Sequence, residues 1–214
     1  MSFRQALIAA SVLMSQLALA DTPLNITPGE VALLPPYCRD SQTFGLQGFR
    51  EGPHPKQQVW IAEMGQTFWA IHHYCWALVS ASRAKRAGVS PQQRVGLYQA
   101  AIADSFYVLE HAQPDFVLLP EIYLRMGQFA VGAGDPVRAA EFFEKSRDRK
   151  PDYWPAYVEL VNLNLSLGRK QVAINTARAG LQAVPEQPNL KELLSKLTAP
   201  APSKAGGRKS PSQP

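Results

Sequence analysis

The sequence lacks the residue patterns that usually mark catalytic or metal-binding proteins. Its 214 residues contain no G-x-S-x-G motif, no glycine-rich phosphate loop, and no paired C-x-x-C, H-E-x-x-H or C-x-x-C-H spacing. These are the motifs that place a nucleophile, a phosphate group, a zinc ion or a haem. The carboxylates are scattered and give no convincing acid/base pair. We therefore expect no enzymatic activity, no cofactor and no metal centre.

Long hydrophobic runs are also missing after residue 20, where no apolar stretch reaches the roughly 20 residues that a membrane-spanning helix needs. Residues 1–20 have the composition of a secretory signal peptide. Arg4 supplies the positive charge, an apolar run follows, and Ala18-Leu19-Ala20 has the small residues of a cleavage site. We expect a mature chain that begins at Asp21 and is periplasmic or secreted.

Cysteine occurs only at Cys38 and Cys75. In an exported protein such a pair predicts one disulfide, here between a proline-rich segment and a long apolar helix. The alternative is a metal-dependent or redox centre on Cys38, His72 and Cys75, because His72 and Cys75 are three residues apart on one helix face. His73 would point about 100° away from His72. The remaining interpretation is a pair of histidines hydrogen-bonded beside the disulfide.

Acidic residues are absent between Glu63 and Asp104. Four cations cluster there around one predicted turn between helices: Arg83, Lys85, Arg86 and Arg94. Such a basic patch would attract an acidic protein or an anionic envelope polymer. The alternative is an ordinary solvated turn.

The net charge of +5 and isoelectric point of about 9.3 do not indicate a nucleic-acid partner. Arg4 belongs to the predicted signal peptide, and the C-terminal tail carries Lys204, Arg208 and Lys209 without any acid. Without these four cations the charge falls from +5 to +1 for residues 21–198. A basic nucleic-acid footprint is therefore not expected.

One pattern is written twice, with a period of 34 residues. Matching pairs include Tyr123 and Tyr157, Met126 and Leu160, Gln128 and Asn162, Ala139 and Ala173, and Pro151 and Pro185. Each copy has helical periodicity interrupted once, at 134–136 and at 168–170, which predicts two antiparallel helices per copy. Asp135 is a good N-cap and Pro136 suits a first helical turn.

This pattern resembles the tetratricopeptide repeat family. The first copy matches at Tyr123, Met126, Gly127, Ala139, Phe143 and Pro151. The second has Val161 where a small residue is usual and Ala177 where a large aromatic is usual. The resemblance implies stacked helical hairpins that bind other proteins on their concave side.

We therefore expect an all-α fold, a short array of antiparallel helix hairpins of the tetratricopeptide type with an irregular proline-rich N-terminal arm. We expect the arm to be extended, and residues 59–87 to form one long helix in which Gly65 is a candidate interruption. The predicted segments are the signal peptide (1–20), the arm (21–58), a divergent hairpin (59–114), two repeats (115–151 and 152–185), a capping helix (186–198) and a disordered basic tail (199–214).

By the same resemblance, the groove that binds a partner would be lined by Leu124, Gln128, Val131, Val158, Asn162 and Leu165. An amide flanked by apolar residues can hydrogen-bond an extended peptide backbone and hold its side chains. Leu124 and Val158 replace the lysines with which family members clamp a terminal carboxylate. We expect apolar or neutral segments to be preferred over acidic C-termini, unless the amides merely face solvent. The predicted function is that of a non-catalytic adaptor or assembly factor of the cell envelope.

Overall fold

The computed structural model describes residues 25–42, 44 and 55–199. The predicted signal peptide and the tail beyond Ala199 lie outside these residues. The described part contains helices and turns and no strand. The α-helices are α1 (Pro28–Ala32), α2 (Pro36–Asp40), α3 (Pro55–Met64), α4 (Ile71–Ala84), α5 (Pro91–His111), α6 (Leu119–Gly132), α7 (Pro136–Arg149), α8 (Trp154–Ser166), α9 (Lys170–Ala183) and α10 (Pro188–Thr198).

Helices α4 to α9 form three consecutive hairpins, which pair α4 with α5, α6 with α7, and α8 with α9. Each hairpin packs on the next through α5 against α6 and α7 against α8, and α10 covers the end of the array on α9. A single hairpin cannot bury both of its apolar faces, so its stability depends on these neighbours. The expected all-α hairpin array is confirmed.

The turn inside each repeat is formed in the same way. Gly134 and Gly168 have φ values of +80° and +72°, a left-handed conformation that residues with a Cβ rarely adopt. The next backbone N–H then donates to the carbonyl oxygen five residues earlier, at 2.9 Å in the first repeat and 2.8 Å in the second. The predicted cap is also confirmed, since the Asp135 carboxylate accepts from the N–H of Arg138 at 3.0 Å.

The two repeats fill the space between their paired helices differently. In the first repeat the larger residue is on the second helix, and in the second repeat it is on the first helix. In the first, a Cβ on Gly127 would lie 2.3 Å from the Phe143 ring, so this ring occupies the place of a side chain. In the second, Val161 supplies the bulk, and Ala177 leaves room for it in a shared buried cluster. The two departures from the family pattern therefore compensate for one another.

The segment before the array differs in part from expectation. The long helix expected over 59–87 is divided at its candidate interruption, because a 3₁₀ helix, Gly65–Ala70, separates α3 from α4. Gly65 has a φ of +64°, which ends α3 at the candidate interruption. The arm is not extended over 28–40 but forms α1 and α2, each with a proline in its first turn. Thr27 and Glu30 cap α1 reciprocally.

None of the described helices is both long and apolar enough to cross a bilayer.

We expect Gly127→Ala to lower the free energy of unfolding by about 1–3 kcal/mol, because the added methyl group collides with the Phe143 ring. Gly96→Ala in α5 is the matched control, since nothing lies within 4 Å of its Cβ position. Replacing a mid-helix glycine with alanine there should stabilise by about 0.5–1 kcal/mol. Urea denaturation of both variants measures the difference.

The double variant Gly127→Val with Phe143→Ala recreates the Val161 and Ala177 arrangement of the second repeat. We expect it to be more stable than Gly127→Val alone. Additive losses in the two single variants would contradict the compensation.

Candidate functional site

The first helices of the hairpins, α4, α6 and α8, carry one surface that we call the inner face. It comprises Ser82 on α4, Arg125 and Gln128 on α6, and Glu159 and Asn162 on α8. Side-chain hydrogen bonds and a shared cleft connect these helices across the array. Two of the six residues expected to line a groove, Gln128 and Asn162, belong to this surface.

The six predicted groove residues have different environments. Leu124 is only 6% exposed and packs in the hydrophobic core, so its side chain does not line the groove. Val131 and Asn162 are exposed, and Val158 and Leu165 are half-buried. Binding of a partner at these positions stays a prediction.

Gln128 takes part in a hydrogen-bond chain that joins two repeats. Arg125 donates to its Oε1 at 3.1 Å, and its Nε2 donates to Glu159 Oε1 at 2.5 Å. Gln128 is half-buried and its amide already links α6 to α8, whereas Asn162 is exposed. Of the two amides predicted to bind a partner, Asn162 is therefore the more accessible. Arg125 and Glu159 were not identified from the sequence, although they are 34 residues apart and of opposite charge.

The arm is fixed to the first hairpin by the predicted disulfide. Cys38 of α2 and Cys75 of α4 are joined, with their Cα atoms 5.6 Å apart, and both residues are fully buried. Beside it, the Trp60 indole donates to Asp40 Oδ2 at 2.9 Å. Tyr37 packs edge-on against the same indole, with ring centroids 6.1 Å apart. Burial raises the pKa of the Tyr37 phenol.

A buried ion-pair cluster holds α1. Glu30 is 6% exposed, and its Oε1 accepts from Arg83 Nε and from Arg86 Nη2, each at 2.6 Å. Its Oε2 accepts from Arg83 Nη2 at 2.9 Å and from the Thr27 N–H at 2.9 Å. Hydrogen bonding from Arg83 is the main reason that the pKa of Glu30 lies well below its usual range, and it outweighs the opposing effect of burial.

This cluster changes the interpretation of the basic patch. The anion that Arg83 and Arg86 meet is Glu30 of the same chain. Arg94 donates from Nε to the Ala84 carbonyl oxygen at 3.1 Å and so satisfies the end of α4. Lys85 is exposed. The spacing of Thr27 and Glu30 is that of a capping box, which predicts the start of a helix. It does not predict that Glu30 pairs with Arg83 and Arg86.

A cleft of about 450 Å³ lies between the arm and the inner face. Its lining residues are Glu30, Leu33, Leu34, Pro35, Leu78, Val79, Ser82, Glu121 and Arg125. The wall formed by the arm and α4 is mainly apolar, and α6 provides the charged wall. Glu121 accepts a hydrogen bond from the buried Tyr74 hydroxyl at 2.9 Å. Burial raises the pKa of Tyr74, so this phenol stays a donor. The cleft was not predicted from the sequence.

The two adjacent histidines are held by hydrogen bonds. His72 Nδ1 lies 3.0 Å from the Trp69 carbonyl oxygen and 2.9 Å from the Gln42 amide nitrogen. Burial lowers the pKa of His72 to about 4, and the charge of His73 acts in the same direction. His73 Nδ1 lies 3.1 Å from Asp104 Oδ1. Over the described residues no three His, Cys, Asp or Glu side chains group as metal ligands.

The sulfur atoms of Cys38 and Cys75 are bonded to each other, so they are not available as thiolate ligands. The metal centre considered for Cys38, His72 and Cys75 is therefore incompatible with this arrangement. The histidines pack beside the disulfide as part of the first hairpin.

Replacing Glu30 should weaken the protein in a pH-dependent way. The folded-state pKa is lowered from 4.5, so the stabilisation is complete above the unfolded pKa and declines as the pH falls below it. We expect Glu30→Gln to lower the free energy of unfolding by about 1–3 kcal/mol at pH 7. It should also flatten the pH dependence between about pH 5 and pH 3. Urea denaturation at each pH measures both effects.

Glu192→Gln is the control, because this exposed carboxylate also pairs with a cation, Lys196, at 2.5 Å. Its removal should leave the pH dependence unchanged within error, as expected for an exposed pair. Parallel pH profiles for wild type and Glu30→Gln would contradict the assigned role of Glu30.

Removing the disulfide should reduce stability because it closes a long loop, with a sequence separation of 37 between its cysteines. For the double variant Cys38→Ala with Cys75→Ala we expect a loss of about 4 kcal/mol in chemical denaturation. Non-reducing mass analysis of the wild type should find no free thiol. Two free thiols in folded wild-type protein would refute the pairing.

Comparison with known proteins gives one informative result. The profile of a family described as tetratricopeptide repeat matches residues 130–197, which extend from the last three residues of α6 to the penultimate residue of α10. A search of curated proteins finds no match. The matched segment contains α7 to α9 and the capping helix, and the hairpins before it stack in the same order. Residues 130–197 are thus similar to the tetratricopeptide repeat family, in agreement with the resemblance seen in the sequence.

Proposed function

We propose that this protein is a non-catalytic adaptor or assembly factor that binds a segment of a partner protein along its inner face. Tetratricopeptide repeats generally mediate protein–protein interaction. The single observation that carries the proposal is the inner face itself. On this face the Gln128–Glu159 hydrogen bond joins α6 to α8, and the amide of Asn162, on α8, is exposed. Such a surface offers hydrogen bonds to an extended backbone and apolar contacts beside them.

The proposal includes a location outside the cytoplasm, in the periplasm or a secreted fraction. It is supported by the disulfide, since disulfides persist in oxidising compartments, and by the signal-like composition of residues 1–20. The internal pairing of Arg83 and Arg86 favours a protein partner over an anionic envelope polymer, because these cations already have a carboxylate between them.

A photo-cross-linking residue placed at Asn162 tests the partner surface in cells. We expect covalent adducts with a defined set of proteins from this position. The control carries the same residue at Val172, which is 49% exposed in the first turn of α9. Equal capture from both positions would contradict binding at the inner face.

A second measurement uses purified protein and a partner identified in that experiment. Asn162→Arg places a bulky charge on the inner face and should weaken binding by at least about tenfold, which is about 1.4 kcal/mol. Gln128→Ala should have a smaller effect, since its amide is engaged with Glu159. The corresponding change on the opposite helix layer, Val172→Arg, should leave the affinity unchanged.

A further inference from the structure

The cleft between the arm and the inner face has an apolar wall with no counterpart in a plain array of hairpins. Leu33, in the connection between α1 and α2, is 81% exposed although it lines this cleft. Leu34 and Pro35 continue the wall, and Leu78 of α4 also lines the cleft. A large aliphatic side chain this exposed leaves apolar area that an occupant could cover.

The charged residues that line the cleft already have partners on the chain. Glu30 lies between Arg83 and Arg86, and Glu121 accepts from the Tyr74 hydroxyl. Arg125 donates to Gln128. An occupant with a net charge would have to compete with these interactions or leave its own charge desolvated. The cleft therefore complements an uncharged segment.

The cleft is also fixed in shape before any partner arrives. The disulfide and the Glu30 cluster hold both helices of the arm against α4, one on each side of Leu33 to Pro35. Its volume of about 450 Å³ lies within the range of about 300–1,000 Å³ that is usual for ligand pockets. A preformed pocket loses little conformational entropy when it is occupied.

We propose that this cleft receives one leucine-like side chain of an uncharged, extended segment of a different protein. The aliphatic side chain packs on Leu33, Leu34 and Leu78. The guanidinium of Arg125, which has five N–H donors, can donate to a backbone carbonyl of the same segment. From there the segment continues along the inner face toward Asn162. This inference rests on the proposed function and adds that the arm forms part of the binding site.

A random ten-residue peptide display library, selected on the immobilised full-length oxidised protein, tests the inference without a known partner. We expect the selected peptides to share one large aliphatic residue flanked by uncharged residues. Fluorescence anisotropy with a labelled selected peptide then gives the affinities of the wild type and its variants. Leu33→Ser should weaken binding by about tenfold or more, because the aliphatic contact is lost.

Val137→Ser is the matched control, since Val137 is another strongly exposed aliphatic residue, 69% exposed, at the start of α7. It should bind the peptide as the wild type does. Both variants change exposed side chains, so thermal denaturation should show native stability for each. Asn162→Arg, measured in parallel, reports on the inner face independently of the cleft.

The outcomes separate the two proposals. Binding that is weakened by Asn162→Arg but not by Leu33→Ser would overturn the cleft and leave the proposed function standing. Binding that is insensitive to both changes would overturn both. Selected peptides rich in Asp and Glu would also refute the cleft assignment. So would a wild-type dimer in sedimentation equilibrium that Leu33→Ser dissociates, because the occupant would then be a second copy of the chain.

Discussion

The buried carboxylate of Glu30 between Arg83 and Arg86 determines how α1 is placed against the end of α4. A carboxylate with so little solvent exposure would be strongly destabilising if it were unpaired. Two guanidinium groups and the Thr27 N–H supply the compensation, and they are correctly placed only when α1 lies against the end of α4. The disulfide then anchors α2 to the same helix. The arm is thereby a structural part of the first hairpin.

The same demand for complementary contacts explains the helix pairs. Close approach of α6 and α7 requires that Gly127 have no side chain, because the Phe143 ring fills the space above it. In the next repeat Val161 and Ala177 reach the same fit with the sizes exchanged. Taken separately, Val161 and Ala177 each depart from the family pattern. Together they fill the space between the paired helices that Gly127 and Phe143 fill in the first repeat.

The sequence was sufficient for the hairpin array because its signals are local. The 34-residue period, the break at Gly134 and the Asp135 cap each depend on residues that are close together along the chain. The disulfide also followed, because two cysteines allow one pairing within the chain. Residue composition also identified the histidine run, but its hydrogen bonds to Gln42 and Asp104 required the fold.

The features that escaped prediction are those formed by distant segments. Glu30 and Arg83 are 53 residues apart. No pattern in the proline-rich arm or in the basic patch predicts that these two segments are in contact. The cleft likewise combines the arm, α4 and α6, so no single periodic pattern contains it. Leu124 was expected at the groove because the family pattern places that position there. In this chain its side chain is buried in the core.

The covalent link between Cys38 and Cys75 has a further consequence for the integrity of the molecule. If a protease cuts the backbone once anywhere between these two residues, the arm fragment stays attached through sulfur. The ion pairs of Glu30 join residues on the two sides of such a cut, so they too would hold the fragment in place. A nicked molecule would thus migrate as one species until a reductant is added, and its arm and hairpins would remain one particle.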